Sequence, residues 1–209
     1  MASDRYKAMG SEASSQPGSS DSVLRNKAGI TSSTEMNDAE LALLLQLYEY
    51  LMDDAFPERG LRISDLMEWH RLWLGNLYDW AGQERRVNLA KGDFHFASAA
   101  QIPRLLNTYD QDFLQRFTPC FDMDAPTLSE AIAACHVELI LIHSFREGNG
   151  RLSRLLADVM AVQAGREPLD YSRWDADKPS YFTAIRCGMD RNYAPMRELV
   201  NLALVSTNV

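Results

Sequence analysis

In successive segments of this chain, apolar residues recur three and four positions apart, which is the spacing of one face of an α-helix. One segment places Leu41, Leu44 and Leu45 after Asn37 and Glu40, a capping-box-like pair that predicts a helix start near Asn37. The repeated pattern predicts a mostly helical domain. Further helical segments of this kind begin near Ser64, Ser98, Thr127, Asn149, Pro179 and Pro195.

One segment, residues 87–96, departs from the helical spacing. Short stretches of it alternate apolar and polar residues on either side of Lys91 and Gly92, which predicts a small β-hairpin. No other segment has a strand pattern, and an isolated hairpin is only marginally stable in water. We therefore expect an all-α fold with one short hairpin, and we expect a bound strand to complete that hairpin.

The first 22 residues differ in composition from the rest of the 209-residue chain. They contain seven serines and none of Val, Ile, Leu, Phe or Trp, so burial cannot offset the entropy of ordering them. The remainder has the composition of a globular protein, and the whole chain is 46% hydrophobic and 24% charged. We predict a flexible tail over residues 1–22 and one domain over residues 23–209.

Charge and cysteine content exclude several classes of protein. A net charge of −8 argues against direct nucleic-acid binding, because counterion release needs clustered cations. The sequence contains no run of eighteen apolar residues, so we expect no membrane span. The N-terminus lacks the apolar core of a secretory signal. Three distant cysteines suit neither a disulfide framework nor a zinc site. We expect a cytoplasmic protein, with delivery into another cell left open.

Residues 143–154 concentrate polar and ionisable side chains between two helical segments. Glycine lets backbone N–H groups approach a ligand closely, and the start of a helix presents unpaired N–H donors at its positive end. These properties favour an anion site suited to phosphate. The sequence therefore predicts that Gly148, Asn149 and Gly150 bind phosphate groups.

Charged residues flank this predicted phosphate site. Arg151 and Arg154 lie three positions apart, so both project from one side of the helix and can neutralise more than one phosphate. Glu147 is an oxygen ligand suited to Mg²⁺ or Mn²⁺ beside phosphates, and His143 has the pKa range of a general base. Each feature has an ordinary structural explanation when it is taken alone: the glycines could form a turn, the arginines could lie on a solvated helix face, and the histidine could be packed in the core. The whole string indicates nucleotidyl or phosphoryl transfer.

The string from His143 to Arg154 resembles the signature of the Fic (filamentation induced by cAMP), or Fido, family, HPFx[D/E]GNGRxxR. Every fixed position matches except Ser144, where the family usually has proline. The resemblance extends over about residues 17–205. It implies a helical bundle with a single hairpin, called the flap, and an enzyme that transfers AMP from ATP to Ser, Thr or Tyr of a target protein and releases pyrophosphate.

The resemblance also implies a role for each motif residue. His143 would deprotonate the target hydroxyl, and Glu147 would hold Mg²⁺ or Mn²⁺ against the α- and β-phosphates. Residues 148–150 would line the anion hole, while Arg151 and Arg154 would bind the β- and γ-phosphates. Phe145 would point inward and anchor the loop, and serine at position 144 would loosen the loop after His143.

Further expectations concern partners and histidines. Tyr181 falls where the family's late helix approaches adenine, and core packing is an equal candidate for it. His70 and His136 are expected to be packed core residues. The flap would pair with an extended segment of the target protein by β-augmentation. Its residues are Val87, Asn88, Leu89, Ala90, Lys91 and Gly92.

The family's inhibitory pattern, Glu followed by Gly or Asn, occurs only at Glu147, inside the motif itself. We therefore expect Arg154 to have no inhibitory partner and the chain to be active alone. A small antitoxin that supplies an inhibitory helix is then a candidate partner.

Three alternative functions stay open. A Doc-like protein kinase would carry lysine where this chain has Gly150. Another donor within the family, such as UTP or a CDP-alcohol, is compatible with the motif. A non-catalytic nucleotide-binding module is the third.

Overall fold

The computed structural model describes residues 7–8 and 14–205, and these form two compact units. The first unit comprises the described residues up to 56 together with 64–104 and 143–148; the second comprises 57–63, 105–142 and 149–205. The sequence analysis placed a single domain over residues 23–209. The boundary between the two units therefore falls inside the motif of residues 143–154, between Gly148 and Asn149.

Helix α1 of the first unit, Ser33–Glu49, begins four residues before the predicted start at Asn37 and continues as a π-helical turn, Tyr50–Asp54. Its true N-cap is Ser32, whose hydroxyl accepts a hydrogen bond from a backbone N–H of the first turn. Glu40 is not part of a cap. It is buried, and its carboxylate accepts a hydrogen bond of 2.6 Å from the Tyr78 hydroxyl.

The next elements of the chain lead to the hairpin. Helix α2 spans Ile63–Leu74, and all of it except Ile63 belongs to the first unit. A 3₁₀ turn, Ala99–Gln101, opens helix α3, Ile102–Tyr109, which passes from the first unit into the second.

The predicted hairpin is present, and it is shorter than the segment 87–96. Strand β2, Leu89–Lys91, pairs antiparallel with β3, Phe94–His95, with Ala90 opposite His95. The chain's own strand β1, Lys7–Ala8, pairs antiparallel with the other edge of β2. Part of the predicted tail thus supplies the completing strand that the sequence led us to expect from a bound segment.

Residues 14–22, which were predicted as part of the flexible tail, are folded against the segment that follows. Ser15 and Leu24 form an antiparallel bridge, and the Gln16 N–H donates to the Val23 carbonyl at 2.8 Å. Val23 is 1% exposed. Backbone hydrogen bonding to residues 23–24 therefore orders a segment that has almost no large apolar side chains. The rest of the predicted tail, residues 1–6 and 9–13, lies outside the described residues.

The second unit is helical and is built around α5, Ala125–Ile142, which packs against three helices that follow it in the chain. This helix is long and apolar enough to span a membrane by length and composition, but 67% of it is buried in the fold, as in a core helix. The all-helical prediction with one hairpin is confirmed. The other elements are a π-helical turn, Asp110–Leu114, then α4 (Gln115–Phe117), α6 (Asn149–Gln163), α7 (Ser172–Ala176), α8 (Lys178–Cys187), a 3₁₀ turn (Gly188–Asp190) and α9 (Ala194–Val205).

Candidate active site

His143 opens the part of the motif that lies in the first unit. Its backbone has φ = +52°, a left-handed conformation that histidine adopts more readily than most residues. The side chain is 2% exposed, and its ring stacks on Phe96, just after β3, with 3.6 Å between the ring centroids. The predicted general base therefore lies directly against the end of the hairpin.

Arg85 ties the hairpin to the loop that follows His143. This arginine is 2% exposed, and its Nε donates to the His143 carbonyl at 2.6 Å. Its two Nη atoms donate at 2.5 Å to the carbonyls of Val87 and Ala97, on either side of the hairpin. Its backbone N–H donates to the Ser144 carbonyl at 2.9 Å. One buried side chain thus fixes the backbone of the predicted base and both ends of the hairpin.

The left-handed backbone of His143 gives a physical reason for serine at position 144. A residue before proline is largely confined to extended backbone, whereas His143 has a positive φ. Ser144 is fully buried, and its hydroxyl has no hydrogen-bond partner in the described part of the chain. A buried hydroxyl of this kind is unfavourable. The serine is therefore better explained by the backbone it permits than by a contact of its side chain.

His70 positions the next residues of the loop. Its Nδ1 accepts a hydrogen bond of 2.8 Å from the Gly82 N–H, so Nε2 carries the proton and donates to the Glu147 carbonyl at 3.1 Å. The ring also stacks on Phe145, with 3.9 Å between centroids, and Phe145 is fully buried as predicted. The sequence analysis expected only a packed core residue at position 70. The hydrogen bond from His70 to Glu147 joins residues that are 77 positions apart, so no local sequence pattern could predict it.

Glu147 and Gly148 complete the first unit's part of the motif. The Gly148 N–H donates to Glu147 Oε1 at 3.0 Å, and Glu147 as a residue is half-buried. Gly148 has φ = +82°, and a Cβ there would lie 2.7 Å from the Trp73 ring. Glycine is therefore required at position 148 both by its conformation and by the close approach of Trp73.

The remaining motif residues open α6 in the second unit. Asn149 is buried, and its carbonyl accepts a hydrogen bond of 2.8 Å from the Ser153 hydroxyl. Gly150 has no positive φ, and among the described residues no atom lies within 4 Å of where its Cβ would be. Neither backbone conformation nor packing therefore explains glycine at position 150. Arg151, one residue further on, is half-exposed.

Arg154 forms an ion pair with an aspartate of the second unit. Its guanidinium forms two hydrogen bonds with the Asp175 carboxylate, Nη2 to Oδ1 at 2.8 Å and Nη1 to Oδ2 at 3.2 Å. It also lies over the Tyr171 ring, 4.7 Å from the centroid, and 5.9 Å from that of Trp174. The expected absence of an inhibitory partner stays a prediction, while the structure shows that Arg154 has an acidic neighbour, Asp175, 21 residues further along the chain.

Tyr181 and His136 form a buried pair in the second unit. The Tyr181 hydroxyl and His136 Nε2 are 2.9 Å apart, and His136 Nδ1 lies 3.1 Å from the Ser153 carbonyl. Burial lowers the pKa of His136 to about 4 and raises that of the Tyr181 hydroxyl. The Tyr181 ring stacks on Trp174, with 5.3 Å between centroids. Tyr181 is therefore packed in the core, and the predicted contact of this residue with adenine stays a prediction.

Comparisons with known proteins identify the family that this chain resembles. Residues 60–161 match the model of the Fic/DOC family. A probable protein adenylyltransferase of Sinorhizobium fredii is 28% identical over 151 residues, which cover 72% of this chain and 76% of that protein. The protein adenylyltransferase VbhT of Bartonella schoenbuchensis is 34% identical over 104 residues, which cover 50% of this chain and 21% of that protein.

Solved structures show the same fold. The N-terminal FIC domain of the effector Bep8 from Bartonella sp. 1-1C superposes with a TM-score of 0.72 at 22% identity, covering 88% of this chain and 91% of that chain. The effector BepC of Bartonella tribocorum, solved with bound AMPPNP, gives a TM-score of 0.69 at 21% identity, covering 86% of this chain and 91% of that chain. At such identities the likeness concerns the fold.

Proposed function

This chain belongs to the Fic/DOC family, and from that premise we propose that it transfers AMP from ATP to a hydroxyl side chain of a target protein. The observation that carries the proposal is the complete set of ionisable motif residues from His143 to Arg154, with His143 held by Arg85 and Phe96. Gly150 favours AMP transfer over the phosphate transfer of Doc-like relatives, which carry lysine there.

In the proposed reaction, His143 takes the proton of a Ser, Thr or Tyr hydroxyl of the target. The target oxygen then forms a bond to the α-phosphorus of ATP. The bond between that phosphorus and the oxygen leading to the β-phosphate breaks, and pyrophosphate leaves with the electron pair. Backbone N–H groups at the start of α6, with Arg151 and Arg154, would stabilise the phosphate charge.

Glu147 fits the role of a metal ligand to Mg²⁺ or Mn²⁺. The residue is half-buried, and its carboxylate accepts a hydrogen bond from the Gly148 N–H. Among the described residues no group of three or more His, Cys, Asp and Glu side chains forms a protein-only metal site. A single carboxylate together with phosphate oxygens is how Mg²⁺ is usually held in nucleotide sites. The cation, when bound, supplies charge neutralisation, and a Mn²⁺ titration of Glu147→Gln, without turnover, tests this assignment.

We further propose that the flap, residues 87–92, binds the target as an added strand. Leu89 is buried, whereas Ala90 and Lys91 are half-exposed, so β2 offers both a fixed register and accessible side chains. Strand β1 occupies the edge of β2 that faces away from β3, so a target strand would have to displace β1. Backbone pairing along an edge of this kind gives affinity, and the alternating side chains give selectivity. A protein that supplies an inhibitory segment, such as an antitoxin, is the second kind of partner compatible with this proposal.

The decisive test is the variant His143→Ala, assayed for AMP transfer to proteins of a lysate and for ATP affinity. A general base contributes on the order of 10²–10⁴ in rate, so transfer should fall by that factor. Because His143 is assigned to the hydroxyl and not to the phosphates, the dissociation constant for ATP should change by less than about 3-fold. Near-full transfer by the variant would show that His143 is not the base.

A further inference from the structure

Both Nη atoms of Arg154 are hydrogen-bonded to the carboxylate of Asp175. The arginine side chain is 28% exposed and lies against the rings of Tyr171 and Trp174, whereas the Asp175 side chain is 55% exposed. The arginine is thus held by packing, while the aspartate can move into solvent. Hydrogen bonding to Arg154 lowers the pKa of Asp175, so the carboxylate is charged near neutral pH.

Asp175 differs from the other two aspartates of its segment. Asp170 accepts a hydrogen bond from the Ser172 N–H, and Asp177 accepts one from the Ser180 N–H as the N-cap of α8. Those two carboxylates stabilise local turns and helix ends. Asp175 instead directs both oxygens to Arg154, so its contact serves the arginine rather than the backbone of α7.

A carboxylate and a phosphate use the same donors of an arginine. Two parallel N–H groups bind two oxygens of either anion, and these paired contacts are the strong ones. While Asp175 occupies both Nη atoms, Arg154 cannot offer the same pair to a terminal phosphate. A polyphosphate brought beside an ionised Asp175 would in addition be repelled by it.

We infer that Asp175 is an internal competitor for the phosphate-binding face of Arg154. The ion pair has to open before the arginine offers the same pair of Nη donors to the β- or γ-phosphate, so Asp175 weakens ATP binding in the resting protein. This inference rests on the proposed function, which assigns Arg154 to the phosphates of ATP. Asp175 is an acidic partner of Arg154 that belongs to no inhibitory glutamate motif.

The test compares the full chain with Asp175→Asn, which keeps the size of the side chain and removes its charge. An ion pair of this exposure contributes a modest free energy, so the variant should bind ATP about 2- to 5-fold more tightly. Inorganic triphosphate should show the same gain, whereas AMP, which lacks the β- and γ-phosphates, should bind within about 2-fold of wild type. Asp175→Glu, which keeps the charge, should restore weak binding.

Asp122→Asn is the matched control, because Asp122 is exposed in a turn with φ = +57°, where asparagine is well tolerated. It should leave all three affinities unchanged. Weaker or unchanged ATP and triphosphate binding by Asp175→Asn would overturn the inference, and weaker binding would show that Asp175 orients Arg154. Binding of ATP without any AMP transfer would refute the proposed function alone. Failure of every protein to bind ATP and triphosphate would refute both.

Discussion

Replacing Arg85 with methionine tests whether one buried guanidinium holds the hairpin and the catalytic loop together. Methionine fills much of the volume of the arginine stem but donates no hydrogen bonds. The variant therefore removes the donors to the carbonyls of His143, Val87 and Ala97. Arg86, the next residue, is exposed, so Arg86→Met is the matched control for loss of one positive charge.

The magnitude follows from the burial of the three acceptors. The hydrogen bonds to His143 and Val87 are buried, whereas the bond to Ala97 is only partly buried, so its carbonyl can be rehydrated. A buried acceptor left without a donor costs about 1–3 kcal/mol, so the two buried carbonyls together cost about 2–6 kcal/mol. For a chain of this size that corresponds to a fall in Tm of roughly 5–20 °C.

The assay is thermal unfolding followed by AMP transfer, measured at a temperature where both variants remain folded. Arg85→Met should lose transfer activity by more than its residual unfolding explains, because the His143 backbone is no longer fixed. Arg86→Met should unfold within about 0.5 kcal/mol of wild type and stay active. An Arg85→Met protein with wild-type Tm and wild-type transfer would refute this reasoning.

Three further predictions concern the glycines, a buried histidine and the N-terminal strand. Gly148→Ala should be strongly destabilised in a thermal melt, because its positive φ and the nearby Trp73 ring exclude a Cβ. Gly150→Ala should be as stable as wild type or more stable by up to about 1 kcal/mol, and yet it should bind ATP less tightly. Equal losses of Tm in the two variants would contradict this. The pKa of His136 is lowered to about 4 in the folded state, so below pH 6.5 the unfolded chain binds more protons than the folded protein. The free energy of unfolding should therefore fall by about 2 kcal/mol between pH 7 and pH 5. Denaturant titrations should show this loss in wild type and a smaller one in His136→Gln; an equal loss would mean that other groups cause it. Removing residues 1–13 exposes the edge of β2, so modification of an added target should rise roughly 2- to 10-fold, and an unchanged rate would show that β1 does not compete with targets.

Local patterns in the sequence predicted the features that depend on near neighbours. Helical spacing gave the helical fold, and alternation around Lys91 and Gly92 gave the hairpin, both of which the structure confirms. The predicted start of α1 was wrong because Asn37 and Glu40 have the spacing of a capping box, whereas the N-cap in the structure is Ser32. The carboxylate of Glu40 instead accepts a hydrogen bond from the hydroxyl of Tyr78, 38 residues away.

Contacts between distant segments could not be predicted in the same way. Arg85 and His143 are 58 residues apart, His70 and Glu147 are 77 apart, and Arg154 and Asp175 are 21 apart. No periodicity or motif links such pairs, because they form only when the elements pack. The order of residues 143–154 in the chain predicts their chemistry, whereas the residues that contact them from distant segments could be identified only in the structure.

The central claim is that this chain transfers the AMP moiety of ATP to a protein hydroxyl. The most direct measurement incubates the full chain with a lysate, a divalent cation and ATP labelled either in the α-phosphate or in the γ-phosphate. The account predicts protein-bound label from the α-phosphate only, its loss in His143→Ala, and release of pyrophosphate in equal amount. Protein-bound label from the γ-phosphate, without label from the α-phosphate, would show phosphate transfer and contradict it.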